Sequence, residues 1–283
     1  MDPTRRSLGV ICRITAPATR MTRIAHISDI HFGRIAHPGI VDALVADINA
    51  ADVDLVIASG DLTQRAFGHQ FRAARRMLDA FEAPTLVVPG NHDVYPWWRI
   101  FSRLFDPLRR YKRLITPDLA PYWSNDDIAV LGVNTAFGWT VQGGRITDKE
   151  LDQIRNGFDR APGEALKILV VHHHLAELIA LAGHDLARGA EKAFQVAQEA
   201  GVGLILCGHL HIAHIAPVGM HPGDGIIVAT AGTCTSNRGR GSNKAVNHFN
   251  LITVEESDIR IEERVYRPSE GRFEDVATHR FEK

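Results

Sequence analysis

The stretch TLVVPGNHD, residues 85–93, sets the reading of this chain. Its first half is a short aliphatic run with β-branched residues, which predicts a buried strand. Four small or polar residues follow. Taken alone, Gly90-Asn91-His92-Asp93 is an ordinary turn, because Gly and Asn favour turn positions. The same plan recurs on both sides. RIAHISDIH (23–31) closes on Asp29 and His31, and DLVIASGD (54–61) closes on Asp61. ILVVHHH (168–174) closes on His172, and GLILCGHLH (203–211) on His209 and His211. Further runs lie at 129–133, 226–230, 248–253 and 259–265, and helical patterns fill 39–50, 68–80, 148–158 and 189–200. Strands alternating with helices predict an α/β domain with covered sheet faces. In open α/β sheets ligands bind beyond the carboxyl ends of strands, where all five polar clusters fall.

These clusters share a chemistry. Carboxylates mixed with imidazoles suit a hard-to-intermediate metal ion. Asp29, His31, Asp61, Asn91, His172, His209 and His211 are too many for one ion. They suit two ions sharing a carboxylate, the arrangement that hydrolyses phosphate esters. If the chain stays extended after the first strand, Asp29 and His31 point to one side while Ile30 turns away. His209 and His211 offer the same geometry. Asp61 either caps a turn or bridges two cations. Asn91 offers a neutral oxygen. His92 is expected to meet the substrate, held by Asp93. The triplet His172-His173-His174 is hard to explain as core, since neutral imidazoles still need partners; one or two of the three need be ligands.

The bulk numbers exclude little. With 283 residues, 45% hydrophobic and 23% charged, the chain has the composition of one large domain or a domain with an insertion. Lys and Arg number 32 against 33 acids, so there is no strong nucleic-acid signal. Cys12, Cys207 and Cys234 form no CxxC pair and predict a reducing, cytoplasmic setting. No apolar stretch approaches the roughly 20 residues of a membrane span. Residues 1–20 carry Arg5, Arg6, Arg13 and Arg20 without a long apolar core, and are expected to be a disordered tail or an upstream start. The domain is expected to occupy 21–283.

The motifs D-x-H at 29–31, G-D at 60–61, G-N-H-D at 90–93, a histidine after a strand at 172 and G-H-x-H at 208–211 resemble the calcineurin-like metallophosphoesterase family, in family order and over most of the chain. The nearest type is the bacterial single-domain enzymes acting on cyclic nucleotides and glycerophosphodiesters. The resemblance implies a two-sheet α/β sandwich with flanking helices and a dimetal centre at its edge. It also implies that Asp29, His31 and His211 hold one ion, that Asn91, His172 and His209 hold the other, and that Asp61 bridges both. His92 would stabilise the leaving side, with Asp93 orienting it. Family members often carry a proline two residues after the fourth-motif histidine; here that position is His174, which keeps His173 open as the alternative to His172. The implied reaction is phosphodiester hydrolysis, with a hydroxide shared by the ions attacking phosphorus. Mn or Fe fits the donor set, and Zn is possible, with no thiolate to favour it.

Residues 94–125 interrupt the strand-helix rhythm and read as a helical lid insertion. Trp97, Phe101, Leu104, Phe105, Leu108 and Tyr111 recur at helical spacing, and Asp106-Pro107 predicts a cap and first-turn proline between two short helices. The basic residues of 97–113 are either solvated or greet an anionic or lipid-like substrate. The latter opens a second reading: hydrolysis of a nucleotide-linked lipid pyrophosphate, as by UDP-diacylglucosamine hydrolases, with peripheral membrane contact through the lid. Residues 232–247 read as a flexible loop, in which Arg238, Arg240 and Lys244 are candidates for phosphate contact. A metal-poor binding module and a DNA nuclease are the remaining classes. The oligomeric state is not legible.

Overall fold

The computed structural model describes residues 21–139, 143–177, 186–219 and 225–283. The segment 1–20, expected as a tail, lies outside them. Strands β1 (Thr22–Ile27), β2 (Leu55–Ala58) and β3 (Thr85–Val87) are parallel neighbours, linked through α1 (Ile40–Ala50) and α2 (Gly68–Leu78). The chain returns to this sheet at its end. β10 (His248–Val254), β11 (Asp258–Arg267) and β12 (Arg272–Glu282) add antiparallel, giving the order β12-β11-β10-β1-β2-β3.

The second sheet runs β4-β5-β6-β7-β9-β8. It contains β4 (Tyr122–Ser124), β5 (Ile128–Gly132), β6 (Leu166–Val170), β7 (Val202–Cys207), β8 (His214–Val218) and β9 (Ile226–Thr230). β5, β6, β7 and β9 are parallel, with antiparallel strands at both edges. Ile24, Ile57 and Ile252 of the first sheet meet Val130, Ile168 and Leu206 of the second in one buried core. The outer face of the first sheet packs on α1 and α2 through Leu44 and Phe71. That of the second packs on α5 (Asp148–Gly157) and α6 (Ala190–Glu199) through Leu151, Ile154 and Val196. This is the expected two-sheet sandwich with flanking helices. Strands covered on both faces have no polar side to show, which is why β2, β5 and β9 read as unbroken apolar runs.

Other strands carry no such run. β4 has three residues, β8 contains Pro217 on an edge, and β12 alternates with charged residues on its exposed side. The insertion forms two helices, α3 (Ile100–Phe105) and α4 (Arg109–Leu114), broken near 106 as expected. Two details differ. Asp106 does not cap α4; its carboxylate pairs with Lys112 at 2.6 Å. The last part of the expected insertion, Tyr122–Ser124, belongs to the second sheet as an edge strand.

Candidate metal centre

β1 ends at Ile27 and β7 at Cys207, short of their polar residues. Beyond them the chain is not extended, contrary to the pleat argument. Asp29 and His31 have φ of 52° and 51°, Asp61 54°, His209 71° and His211 59°. Left-handed backbone costs a residue with a Cβ roughly 1 kcal/mol or more. The surroundings hold it in place. Asp29 N–H donates to the Gly60 carbonyl at 3.1 Å and His31 N–H to the Asp61 carbonyl at 3.0 Å. Thr233 and Thr235 donate their hydroxyls to the carbonyls of Asp29 and Ile30, each at 2.7 Å. The expected flexible loop therefore begins as a buried brace, with Thr233, Thr235 and Ser236 all enclosed.

All seven predicted donors converge. Asp29 Oδ1 lies 3.0 Å from His211 Nε2 and 3.6 Å from His31 Nε2. The two imidazole nitrogens are 3.1 Å apart. Asp61 faces both ways: Oδ2 is 3.6 Å from His31 Nε2, and Oδ1 is 3.5 Å from His172 Nε2. Asn91 Oδ1 stands 3.2 Å from His172 Nε2 and 3.1 Å from His209 Nδ1. His173 joins this second group, its ring 4.6 Å from that of His209, but its Nδ1 meets Thr135 Oγ1 at 2.7 Å. Of the adjacent pair, His172 is the one aimed at Asp61.

The proton bookkeeping tests whether cations fit. His211 Nδ1–H donates to the Arg238 carbonyl at 2.8 Å, and His172 Nδ1–H to the Ser59 carbonyl at 2.7 Å. A carbonyl only accepts, so in the neutral rings Nε2 carries the lone pair. Those lone pairs point at carboxylate and amide oxygens. Asp29 Oδ1 and Asp61 Oδ2 are buried with no hydrogen-bond donor. Electron-rich atoms packed this closely away from water repel unless positive charge lies among them. Burial pushes Asp29 and Asp61 up, but His211 beside the first and His172 beside the second outweigh it and hold both well below the usual carboxylate range. Burial pulls His31 down to about 4 and His209 to about 3, leaving both neutral. Burial also opposes charge on His172, yet Asp61 raises it to about 9, so without a cation a proton fills that role. The residues fit two metal ions.

Glycines make the approach possible. A Cβ on Gly90 would collide with Asp61 Oδ1, and one on Gly208 with the Ser28 hydroxyl beside Asp29. His92 is edge-on to His31, with ring centroids 4.8 Å apart. Its backbone N–H donates to Asp61 Oδ1 at 2.7 Å, and its Nδ1–H to the Gln64 carbonyl at 2.8 Å. Asp93, expected to hold the His92 ring, does not. Its carboxylate accepts N–H groups of Leu62, Thr63 and Gly90 at 3.0–3.1 Å and staples the two loops together. No sequence signal points to the Gln64 or Arg238 carbonyls, because every residue has one. A cleft of about 240 Å³ opens beside Asn91 and His92, walled by Trp97, Arg65, Arg103 and Arg238.

A sandwich with carboxylates and imidazoles gathered at its strand ends is the scaffold of a metallophosphoesterase. The chain belongs to the calcineurin-like phosphoesterase family, whose model matches residues 22–213. It is 29% identical over 162 residues to the 3',5'-cyclic adenosine monophosphate phosphodiesterase CpdA of Haemophilus influenzae, covering 56% of this chain and 55% of that protein. It is 35% identical over 80 residues to the glycerophosphodiester phosphodiesterase GpdQ of Enterobacter lignolyticus, covering 25% of this chain and 29% of that protein. These matches thus span about half, or less, of each relative. The fold resembles that of the purple acid phosphatase PPD1 of yellow lupin, with a TM-score of 0.71 at 14% identity, over 93% of this chain and 54% of that one.

Proposed function

We propose that this chain is a dimetal phosphodiesterase. Asp61 carries the reading, because its two oxygens face two different donor groups. Asp29, His31 and His211 would hold one ion, Asn91, His172 and His209 the other, and Asp61 both. Two carboxylates, an amide oxygen and four imidazoles suit Mn or Fe, with Zn also compatible. When bound, such ions supply Lewis acidity and make hydroxide available near neutral pH. The protein's own contribution is positioning. His92, held through Nδ1 by Gln64, lines the cleft where the leaving group would stand and stabilises charge there. Ser28 and Ser59, the serines nearest the motifs, are fully buried, so neither offers itself as a nucleophile. The relatives named as diesterases support diesters over monoesters. We read the protein as cytoplasmic; the free, buried Cys207 and Cys234 support a reducing compartment.

The test is metal content by mass spectrometry, paired with hydrolysis of bis(p-nitrophenyl) phosphate and p-nitrophenyl phosphate after Mn, Fe or Zn reconstitution. About two ions per chain and metal-restored diester cleavage are expected. No bound metal and no cleavage of either ester would favour a binding module and end the assignment.

One observation favours a second reading, a nucleotide-linked lipid pyrophosphate cleaved at a membrane surface. α3 buries none of its side chains, and Trp97, Ile100, Phe101 and Phe105 are 60–85% exposed. Arg99, Arg109 and Arg113 flank them, and aromatic groups beside basic ones suit an anionic bilayer interface. Sedimentation with anionic vesicles should then fall on charge reversal at Arg109, Arg110 and Arg113. Negligible binding by both proteins would remove this reading.

A further inference from the structure

Arg65, Arg103 and Arg238 line the cleft beside the donors, and among the described residues no acid does. Arg103 is tied into the lid: Nε donates to the Gly138 carbonyl at 2.6 Å and Nη1 to the Tyr95 carbonyl. Neither of the other two has an ion pair among the described residues. Arg65 sits 5.9 Å over the Trp98 ring. Arg238 is half-buried, and among the described residues its guanidinium makes one hydrogen bond, from Nη1 to the amide oxygen of Gln64 at 3.3 Å. A guanidinium has five N–H donors in a planar fork, and partial burial takes water from it without supplying a carboxylate.

Its placement is fixed from two sides. The Arg238 carbonyl accepts the Nδ1–H of His211, and the Gln64 carbonyl accepts the Nδ1–H of His92. Arg238 is therefore locked to a proposed metal donor through its backbone. Through Gln64 it is locked to His92, the residue facing the leaving group. Burial disfavours the charge on Arg238, and Asp61 and Asp29 sustain it at a distance.

Charge counting says what the cleft awaits. Asp29 and Asp61 leave a pair of divalent ions net positive, so the single charge of a phosphodiester is answered before any arginine is counted. Arg65 is exposed and solvated, but the half-buried guanidinium of Arg238, without an acid beside it, calls for further negative charge. Guanidinium forks match phosphate oxygens.

We propose that Arg238, assisted by Arg65, forms a subsite for a second phosphate adjoining the scissile one, which directs the enzyme to pyrophosphate-linked esters. The subsite rests on the dimetal phosphoesterase reading and adds a substrate class to it. Trp97 gives the cleft an aromatic wall for the group beyond that phosphate.

The experiment is calorimetric binding of ADP and AMP to the Mn-loaded protein, with Arg238→Gln, Arg238→Lys and Arg240→Gln alongside. The wild type should bind ADP about tenfold or more tightly than AMP, as expected for an added charge-assisted contact. Arg238→Gln should bring that ratio to within about twofold, and Arg238→Lys should restore part of it. Arg240 is exposed and outside the cleft, so Arg240→Gln should keep the wild-type ratio. A wild-type ratio near one, or a ratio untouched in Arg238→Gln, overturns the subsite. Equal weakening of both nucleotides with loss of bound Mn overturns it too, since Arg238 would then only support His211. Bis(p-nitrophenyl) phosphate hydrolysis is read in the same preparations. Its absence in the wild type overturns the phosphoesterase reading and the subsite with it; its presence beside a ratio near one overturns the subsite alone.

Discussion

Removing Asp61 takes away a carboxylate that faces both donor groups. Asp61→Ala should leave less than one ion per chain by mass spectrometry and abolish diester cleavage; full metal stoichiometry with activity would reject the bridging role. His92 donates its backbone N–H to Asp61, but its ring offers no ligand atom to either group. His92→Ala should lower turnover roughly 10²-fold or more, the usual span for a lost proton-transfer or leaving-group partner, while metal content stays near that of the wild type. Equal loss of both would undo the division of labour. At this scale the sequence exposed the candidate donors, because carboxylates and imidazoles clustered after apolar runs suit metal ions. It hid the backbone partners. The carbonyls of Ser59, Gln64 and Arg238 set which nitrogen of His172, His92 and His211 carries the proton, and a carbonyl leaves no mark on residue identity. Asp93 shows the converse: its neighbour His92 was the obvious partner, yet left-handed and tight turns swing its carboxylate to the N–H groups of Leu62 and Thr63.

The lid is two elements of opposite character. α4 is anchored: Leu108 and Tyr111 are buried, and the Tyr111 hydroxyl donates to the Val87 carbonyl at 2.9 Å. α3 only rests on the surface, and Phe101 and Phe105 are 79% and 85% exposed. Chemical denaturation should separate them. Leu108→Ala should cost about 2–4 kcal/mol, the range for emptying a packed aliphatic site. Phe101→Ser combined with Phe105→Ser should stay within about 0.5 kcal/mol of wild type, as exposed substitutions do. A large loss from the phenylalanine pair would mean that α3 is packed. The helical spacing of Phe101, Leu104, Leu108 and Tyr111 announced both helices and could not say which one is covered. Periodicity records a face, and the neighbour that covers it comes from a distant part of the chain. α4 has α2 and β3 against it; α3 has Arg103 as its tether.

Across the molecule, acid should be a strong lever on stability. His26 and His248 are fully enclosed in the first sheet, and burial pulls them down to about 3 and about 4. The unfolded chain protonates such rings near pH 6.5. Below that pH the unfolded state binds more protons, so stability is complete above it and falls as pH drops toward 4. Each ring should contribute a loss of about 2 kcal/mol between pH 6.5 and 5. Urea unfolding of the metal-stripped protein at pH 7 and 5 measures this, and His26→Gln should flatten the slope; an unchanged slope would place the acid sensitivity elsewhere. His26 also shows the limit of reading along the chain, since nothing in RIAHIS says that Ser59 will meet its Nε2 at 2.9 Å. The sequence by itself determined the sandwich, its main parallel strands, its flanking helices and the residues gathered at their ends. Strands covered on both faces are mainly apolar, and the polar residues that follow them are local facts. The tertiary structure alone decided which donors pair across the two sheets, how the 233–236 brace holds Asp29 and Ile30 in place, and where Arg238 points. Those contacts join residues from 27 to 205 positions apart, and the left-handed turns that create them follow from packing against distant backbone, not from the identity of the residues that make the turn.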